Sequence, residues 1–307
     1  MARKYSTSFP DDMDDDSLAR KLRQAIARGN LNDMREALCQ GADPNAKFAQ
    51  EYYPVCPLAA ANRLPRGKHL AAIRILLEFG ADPDGPAPQN AAANQGAFFV
   101  GDAVAAGDAA LVELLLAHGA DPHLVRMSTD IYAWFAHGGE PGLPNPCDFD
   151  GFAPIACMTG YRNHMPVDGM LACARLLLDA GADIEAPGVH GASILAEAAR
   201  HSNGPLVQGL LVLGANPNAV DGVGATPLHC AGSIRAKRSS PDDSSDEALE
   251  AEVATFLLQA GARWDAVDRE GRRPRDTCGA GARSVIEAAE LAAALPFGST
   301  ERPAPRL

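Results

Sequence analysis

The sequence predicts an all-α array of short helix pairs, and three observations carry that prediction. The tetrapeptide Gly-Ala-Asp-Pro recurs at residues 41–44, 80–83 and 119–122, with looser copies at Gly181-Ala182-Asp183, Gly214-Ala215-Asn216-Pro217 and Gly261-Ala262-Arg263. The steps between the glycines are 39, 39, 62, 33 and 47 residues, a minimum near 33 with variable excess, as stacked repeats with loop insertions give. Each copy closes an apolar helical run, such as residues 111–116 or 174–178.

Residues 1–16 are polar and end in Asp11-Asp12-Met13-Asp14-Asp15-Asp16, so they are expected to be disordered, with Asp16 or Ser17 capping the first helix. The first repeat pairs residues 18–28 with 32–40 around Gly29-Asn30, and the third pairs 98–106 with 109–118 around Gly107-Asp108. In both, 12 residues separate the inter-helix glycine from the glycine of Gly-Ala-Asp. The sixth repeat shows the start of a unit most clearly, in Asp221-Gly222-Val223-Gly224-Ala225-Thr226-Pro227-Leu228-His229-Cys230. Asp221 and Gly224 shape a tight turn, Thr226 is an N-cap, and Pro227 takes the first helical position, where its missing N–H costs nothing. At the other end, Gly214 and Gly261 take the left-handed helix stop.

These residues resemble the ankyrin repeat, a β-turn finger followed by two antiparallel helices with a Thr-Pro-Leu-His signature. The resemblance covers about residues 17–295 and is also good at Asp148-Phe149-Asp150-Gly151-Phe152-Ala153-Pro154-Ile155-Ala156. It implies an ankyrin-repeat solenoid of about seven helix-turn-helix repeats. The first and last act as caps, the last carrying charge (Arg272-Arg273-Pro274) where the others are apolar. Insertions are expected at about 123–147, 161–169 and 235–247, the last disordered by composition, and residues 296–307 read as a disordered tail.

With 307 residues, 47% hydrophobic and only 6% aromatic, the chain suits closely packed short helices. A net charge of −12 argues against a general binder of nucleic acid or anionic membrane. No leader-like or membrane-spanning apolar run is present, and 7 cysteines without framework spacing point to reduced thiols. The expected location is therefore cytoplasmic.

The residues that could carry chemistry read as structural. There is no Cys-x-x-Cys and no His-Glu-x-x-His, so no metal or cofactor is expected. Cys157 and Cys230 hold equivalent places in their repeats and should face the packed interior. The resemblance implies that His229 hydrogen-bonds backbone and ties neighbouring repeats together. An enzyme would have to use Cys147, Cys157, His137 or His164 in the irregular 123–170 region, and no nucleophile–base pair can be placed there by spacing.

The expected function is a non-enzymatic module that binds another protein, one with a basic patch that the acidic balance would steer. Two versions fit equally, an effector or adaptor and a neutralising partner of a toxin or enzyme. Tyr132, Trp134 and Phe135 cluster in the first insertion and are candidate anchors. The finger tips add Tyr52, Tyr53, Phe149, Phe152, Val220, Val223, Arg269 and Glu270. Oligomeric state is open.

Overall fold

Residues 17–46, 56–65, 67–85, 99–124, 153–159, 167–188, 191–233 and 244–294 are described by the computed structural model. The chain divides into two compact units, residues 1–186 and 187–307. The first holds α1 (Ser17–Arg28), α2 (Leu31–Cys39), α3 (Pro57–Asn62), α4 (His69–Glu78), α5 (Phe99–Ala105), α6 (Ala109–Ala117), a 3-10 turn (Pro154–Thr159) and α7 (Val167–Asp179). The second holds α8 (Ile194–Arg200), α9 (Gly204–Val212), α10 (Pro227–Cys230), α11 (Ser244–Gln259), α12 (Pro274–Thr277) and α13 (Ala280–Ala294). Among the described residues these form four consecutive pairs in the first unit and three in the second, with no β-strand.

Short polar residues start the second helix of three pairs, whereas α4 follows Lys68 without a side-chain cap. Asn30 Oδ1 accepts from the Asn32 and Asp33 N–H groups at 3.1 and 3.4 Å. Asp108 Oδ1 accepts from Leu111 N–H at 3.1 Å, and Asn203 Oδ1 from Leu206 N–H at 3.2 Å. Each such cap contributes about 1 kcal/mol.

The recurring tripeptide ends the second helix of a pair, and each of its residues has its own part. The glycine is left-handed at all six copies, with φ between 88° at Gly80 and 98° at Gly41. That turn lets the following alanine N–H reach back five residues: Ala42 to the Leu38-preceding carbonyl of Ala37, Ala81 to Leu76, Ala120 to Leu115, Ala182 to Leu177, Ala215 to Leu210 and Ala262 to Leu257, all at 2.9–3.1 Å. Most of these alanines are buried. The Asp or Asn then folds its own loop. Asp43, Asp82, Asp121, Asp183 and Asn216 each accept from the N–H two residues on, at 2.8–3.0 Å. In the sixth copy Arg263 cannot accept, and its guanidinium instead pairs with Asp265 at 3.2 Å.

Leu22, Ile26, Met34, Leu58, Ile73, Leu76, Leu115, Ile155 and Leu177 are fully buried between successive pairs of the first unit. Leu195, Val207, Leu210, Leu228, Val253, Leu257 and Ile286 do the same in the second. Burial of one such side chain contributes about 1.5–3 kcal/mol.

Two of the expected insertion boundaries shift inward. Helix α7 begins at Val167, so residues 167–169 of the 161–169 span are helical. Close approach of another repeat calls for glycine inside this helix: a Cβ on Gly169 would stand 2.6 Å from the Gly107 carbonyl oxygen. Helix α11 begins at Ser244, so residues 244–247 of the span expected to be disordered are helical too. Asp246 and Glu247 sit in its first turn, where the helix dipole favours negative charge. The expectations for residues 1–16, 125–147, 235–243 and 296–307 lie outside the described residues.

Candidate partner-binding surface

Polar joints hold each repeat to the next, and one class follows a fixed offset from the helix-stop glycine. Four residues after Gly41, Asn45 donates its Nδ2 to the Gly80 carbonyl at 3.0 Å and accepts from Asp82 N–H at 2.7 Å. Four after Gly214, Asn218 does the same to Gly261 and Arg263, at 3.0 and 2.8 Å. Asp84, at the same offset from Gly80, accepts from Asp121 N–H at 3.0 Å. His123 stands at the same offset from Gly119, its Nε2 lying 3.9 Å from where a Gly181 Cβ would be.

A second class involves buried side chains. In the first unit, His69 Nε2 lies 3.0 Å from Asp108 Oδ2 while the other oxygen of Asp108 caps α6. In the second unit, His229 Nδ1 accepts from Thr226 N–H at 3.1 Å. Its Nε2 therefore carries the proton and donates to the Arg272 carbonyl at 3.1 Å. Burial depresses the His229 pKa below the ordinary imidazole value, so the neutral ring is favoured. Glu250 is also buried and accepts from Gly281 N–H at 3.0 Å, at the start of α13. A Cβ on Gly232 would come within 2.6 Å of this carboxylate, and one on Gly279 would collide with it. Glycine at both positions leaves the carboxylate its seat.

Three finger loops stack in the second unit. Gly188 N–H donates to Ala192 C=O at 2.8 Å, Asp221 N–H to Ala225 C=O at 3.0 Å, and Asp268 N–H to Arg272 C=O at 3.0 Å, closing each finger. Asp221 Oδ1 also takes the N–H groups of Val223 and Ala225 at 2.9 and 2.8 Å. Asp268 repeats this with Glu270 and Arg272, both at 2.9 Å, and its second oxygen grips Arg272 Nε at 2.8 Å. The last two fingers are joined where Arg269 N–H donates to Val223 C=O at 3.0 Å. Side chains at the tips point away from this scaffold: Val220 is 63%, Val223 52% and Val267 60% exposed.

Two of the solved structures that match this chain in fold are ankyrin repeat domains. The ankyrin repeat domain of human ASB11 matches with a TM-score of 0.58 at 24% identity, covering 90% of this chain and 98% of that one. The ankyrin repeat domain of Bcl-3, described as a unique member of the IkappaB protein family, matches with a TM-score of 0.58 at 19% identity, covering 87% and 97%. The chain has the ankyrin-repeat fold. No family model matches the sequence, and no curated protein matches it.

Within this ankyrin-repeat frame, the structure brings Val220, Val223, Arg269 and Glu270 together on adjacent fingers. Tyr52, Tyr53, Tyr132, Trp134, Phe135, Phe149 and Phe152 lie outside the described residues. The sequence reading missed Val267, although the tripeptide Ala-Val-Asp at 219–221 returns at 266–268 with the same 47-residue step as the glycines. His229 acts as the resemblance implied, binding the backbone of the next repeat.

Cys157 is fully buried, and desolvation pushes its thiol far above the ordinary range. Cys173, Cys230 and Cys278 are pushed up to about 11 by the same cause. Arg200 Nη2 approaches Cys230 Sγ at 3.5 Å, yet burial outweighs its charge. These thiols stay protonated at neutral pH, the wrong form for nucleophilic attack. Cys147, His137 and His164 lie outside the described residues. No group of three or more His, Cys, Asp or Glu side chains could hold a metal among the described residues, and no helix there is long and apolar enough to cross a membrane.

Proposed function

We propose that this chain is a non-enzymatic module that binds another protein through its finger tips. The observation that carries the reading is the apolar row Val220, Val223 and Val267, held above a hydrogen-bonded scaffold in the second unit. Preformed loops lose little entropy on association, so exposed valines on them are suited to a partner's apolar contact. Arg269 and Glu270 flank the row and would select the partner's charge pattern. Tyr132, Trp134 and Phe135 of the 123–147 insertion are proposed as further anchors, together with Tyr52, Tyr53, Phe149 and Phe152. The net charge of −12 favours a partner with a basic patch. A role as effector or adaptor, or as a neutralising partner of a toxin or enzyme, in the cytoplasm, belongs to the same proposal.

The test is affinity capture from native extract with three baits: the intact chain, Val220→Ser plus Val267→Ser, and Tyr132→Ala plus Trp134→Ala. Loss of one captured protein with the valine variant supports the finger surface. Loss with the aromatic variant alone moves the site to the insertion. Retention by both variants overturns the reading.

A further inference from the structure

Net charge misrepresents what the first unit offers a partner. Residues 17–74 carry ten Lys and Arg against four Asp and Glu, whereas residues 75–186 carry three against fifteen. Many of the described acids in the first unit are engaged by their own backbone. Asp43, Asp82, Asp84, Asp121 and Asp183 each accept a main-chain N–H, and Asp108 caps α6 while facing His69. Amide dipoles facing a carboxylate offset part of its outward field.

The cations are not so employed. Arg20, Arg28, Arg63, Lys68 and Arg74 are all exposed, and none of their side chains has an ion pair or hydrogen bond among the described residues. By contrast, Arg35 reaches Glu78 at 3.5 Å, and Lys21 reaches Gln40 at 3.3 Å. Three of the free cations flank a pair of touching turns. The turn between α3 and α4 stacks on the turn between α1 and α2: a Cβ on Gly29 would meet Lys68 Cδ at 3.4 Å and Leu64 Cδ2 at 3.7 Å. Arg28 precedes that glycine, and Arg63 precedes that leucine. In the third repeat the matching turn is Gly107-Asp108, so the sign changes there.

We propose that the edge formed by Arg28, Arg63 and Lys68 docks an acidic polypeptide segment of a partner protein. The proposal deepens the protein-binding reading and rests on it. Three cations without internal partners need no ion pair broken before they meet carboxylates, so their Coulomb gain is not spent on exchange. A flexible acidic segment suits an edge made of turns, because its side chains can adjust to the spacing of the cations.

The test uses the full chain with a fluorescein-labelled peptide of alternating Glu and Gly, read by fluorescence anisotropy. A uridine oligomer of equal charge and phosphatidylserine vesicles serve as competitors. The intact chain is expected to bind the peptide, and raising salt from about 0.05 to about 0.3 M should weaken it several-fold, because exposed charge pairs are screened. Arg28→Gln, Arg63→Gln and Lys68→Gln together should weaken it about tenfold, the size expected when several exposed charge pairs are lost. Arg175→Gln plus Arg283→Gln should leave it unchanged, and melting curves should be the same for all chains. Unchanged affinity in the triple variant, or tighter binding of the oligomer or vesicles than of the peptide, overturns the proposal. Capture of a partner through the fingers by a chain that ignores the peptide overturns this edge and leaves the protein-binding reading standing. Failure of both capture and peptide binding removes both.

Discussion

The two units build the same helix pairs but join them differently. In the first, the polar joints between repeats reach solvent on at least one side: Asn45 and Asp84 lie on surface loops, and the buried His69 meets an Asp108 whose side chain is 21% exposed. In the second, the joints include the buried His229 and Glu250, each satisfied by the backbone of the following repeat. A buried polar group that loses its partner costs more than an exposed one, since water cannot replace the bond. The second unit should therefore be the less tolerant of single changes, although its apolar core is no different in kind.

The strongest way to break this contrast is at the Glu250 seat. Gly281→Ala would drive a Cβ into the Glu247 carbonyl and push α13 off α11. The expected cost is about 3 kcal/mol, at the upper end for overpacking. Hydrogen exchange resolved by segment should show lost protection in residues 187–294 while residues 17–124 keep theirs. Equal loss in both units would mean that they do not open separately.

His229→Ala comes next. It strands the Thr226 N–H and leaves the Arg272 carbonyl only its bond from Asp268 N–H, at about 2 kcal/mol, within the range for unsatisfied buried groups. It also has a pH signature. The folded pKa of His229 lies below the unfolded value of 6.5, so the unfolded chain binds the proton first as pH falls. Stability from the neutral ring is complete above that value and is lost as pH drops through the lowered native one. Glu197 acts in the opposite sense. Burial raises its pKa, and protonation in the window above the ordinary carboxylate value favours the folded state. The His229 contribution to urea resistance of the second unit should thus fall on mild acidification, and His229→Ala should remove that contribution while leaving the opposing one from Glu197. A pH dependence unchanged by the substitution would remove His229 as a source of it.

In the first unit, Asp108→Ala loses one helix cap and the contact to His69. About 1–2 kcal/mol is expected, with protection falling first in α4 and α6. Asn45→Ala should be smallest, near 0.5–1 kcal/mol, because water can take over both of its bonds. If Asn45→Ala proved as costly as His229→Ala, burial would not be what separates the units.

Much of this was legible in the sequence because it is local. Gly-Ala-Asp reads directly as a left-handed stop, a small buried residue and a side chain that folds its own loop. Thr226-Pro227 likewise reads as a cap followed by a first helical position. The helix starts at 167 and 244 were not legible; at 169 a glycine reads as a helix breaker until Gly107, 62 residues earlier, is seen packed against it. Glu250 gave no sign either: its meaning depends on Gly232 and Gly279, glycines that look unremarkable until the carboxylate lies between them. Asn45 and Asn218 could have been found, because both stand four residues after a stop glycine and both are asparagine. Of the proposed partner surface, the finger valines could be placed and the aromatic candidates lie outside the described residues.

The joints made by Asn45 and by Asn218, each within its own unit, read only main-chain groups of the following loop: one carbonyl and one N–H. No side chain of the receiving repeat is required for the bond. A repeat that is duplicated, deleted or exchanged can rejoin its neighbour with this joint intact, provided it brings its own helix stop. At joints of this kind the chain can lengthen by whole repeats without two side chains having to coevolve, and sequence is left free to diverge on the surfaces that face a partner.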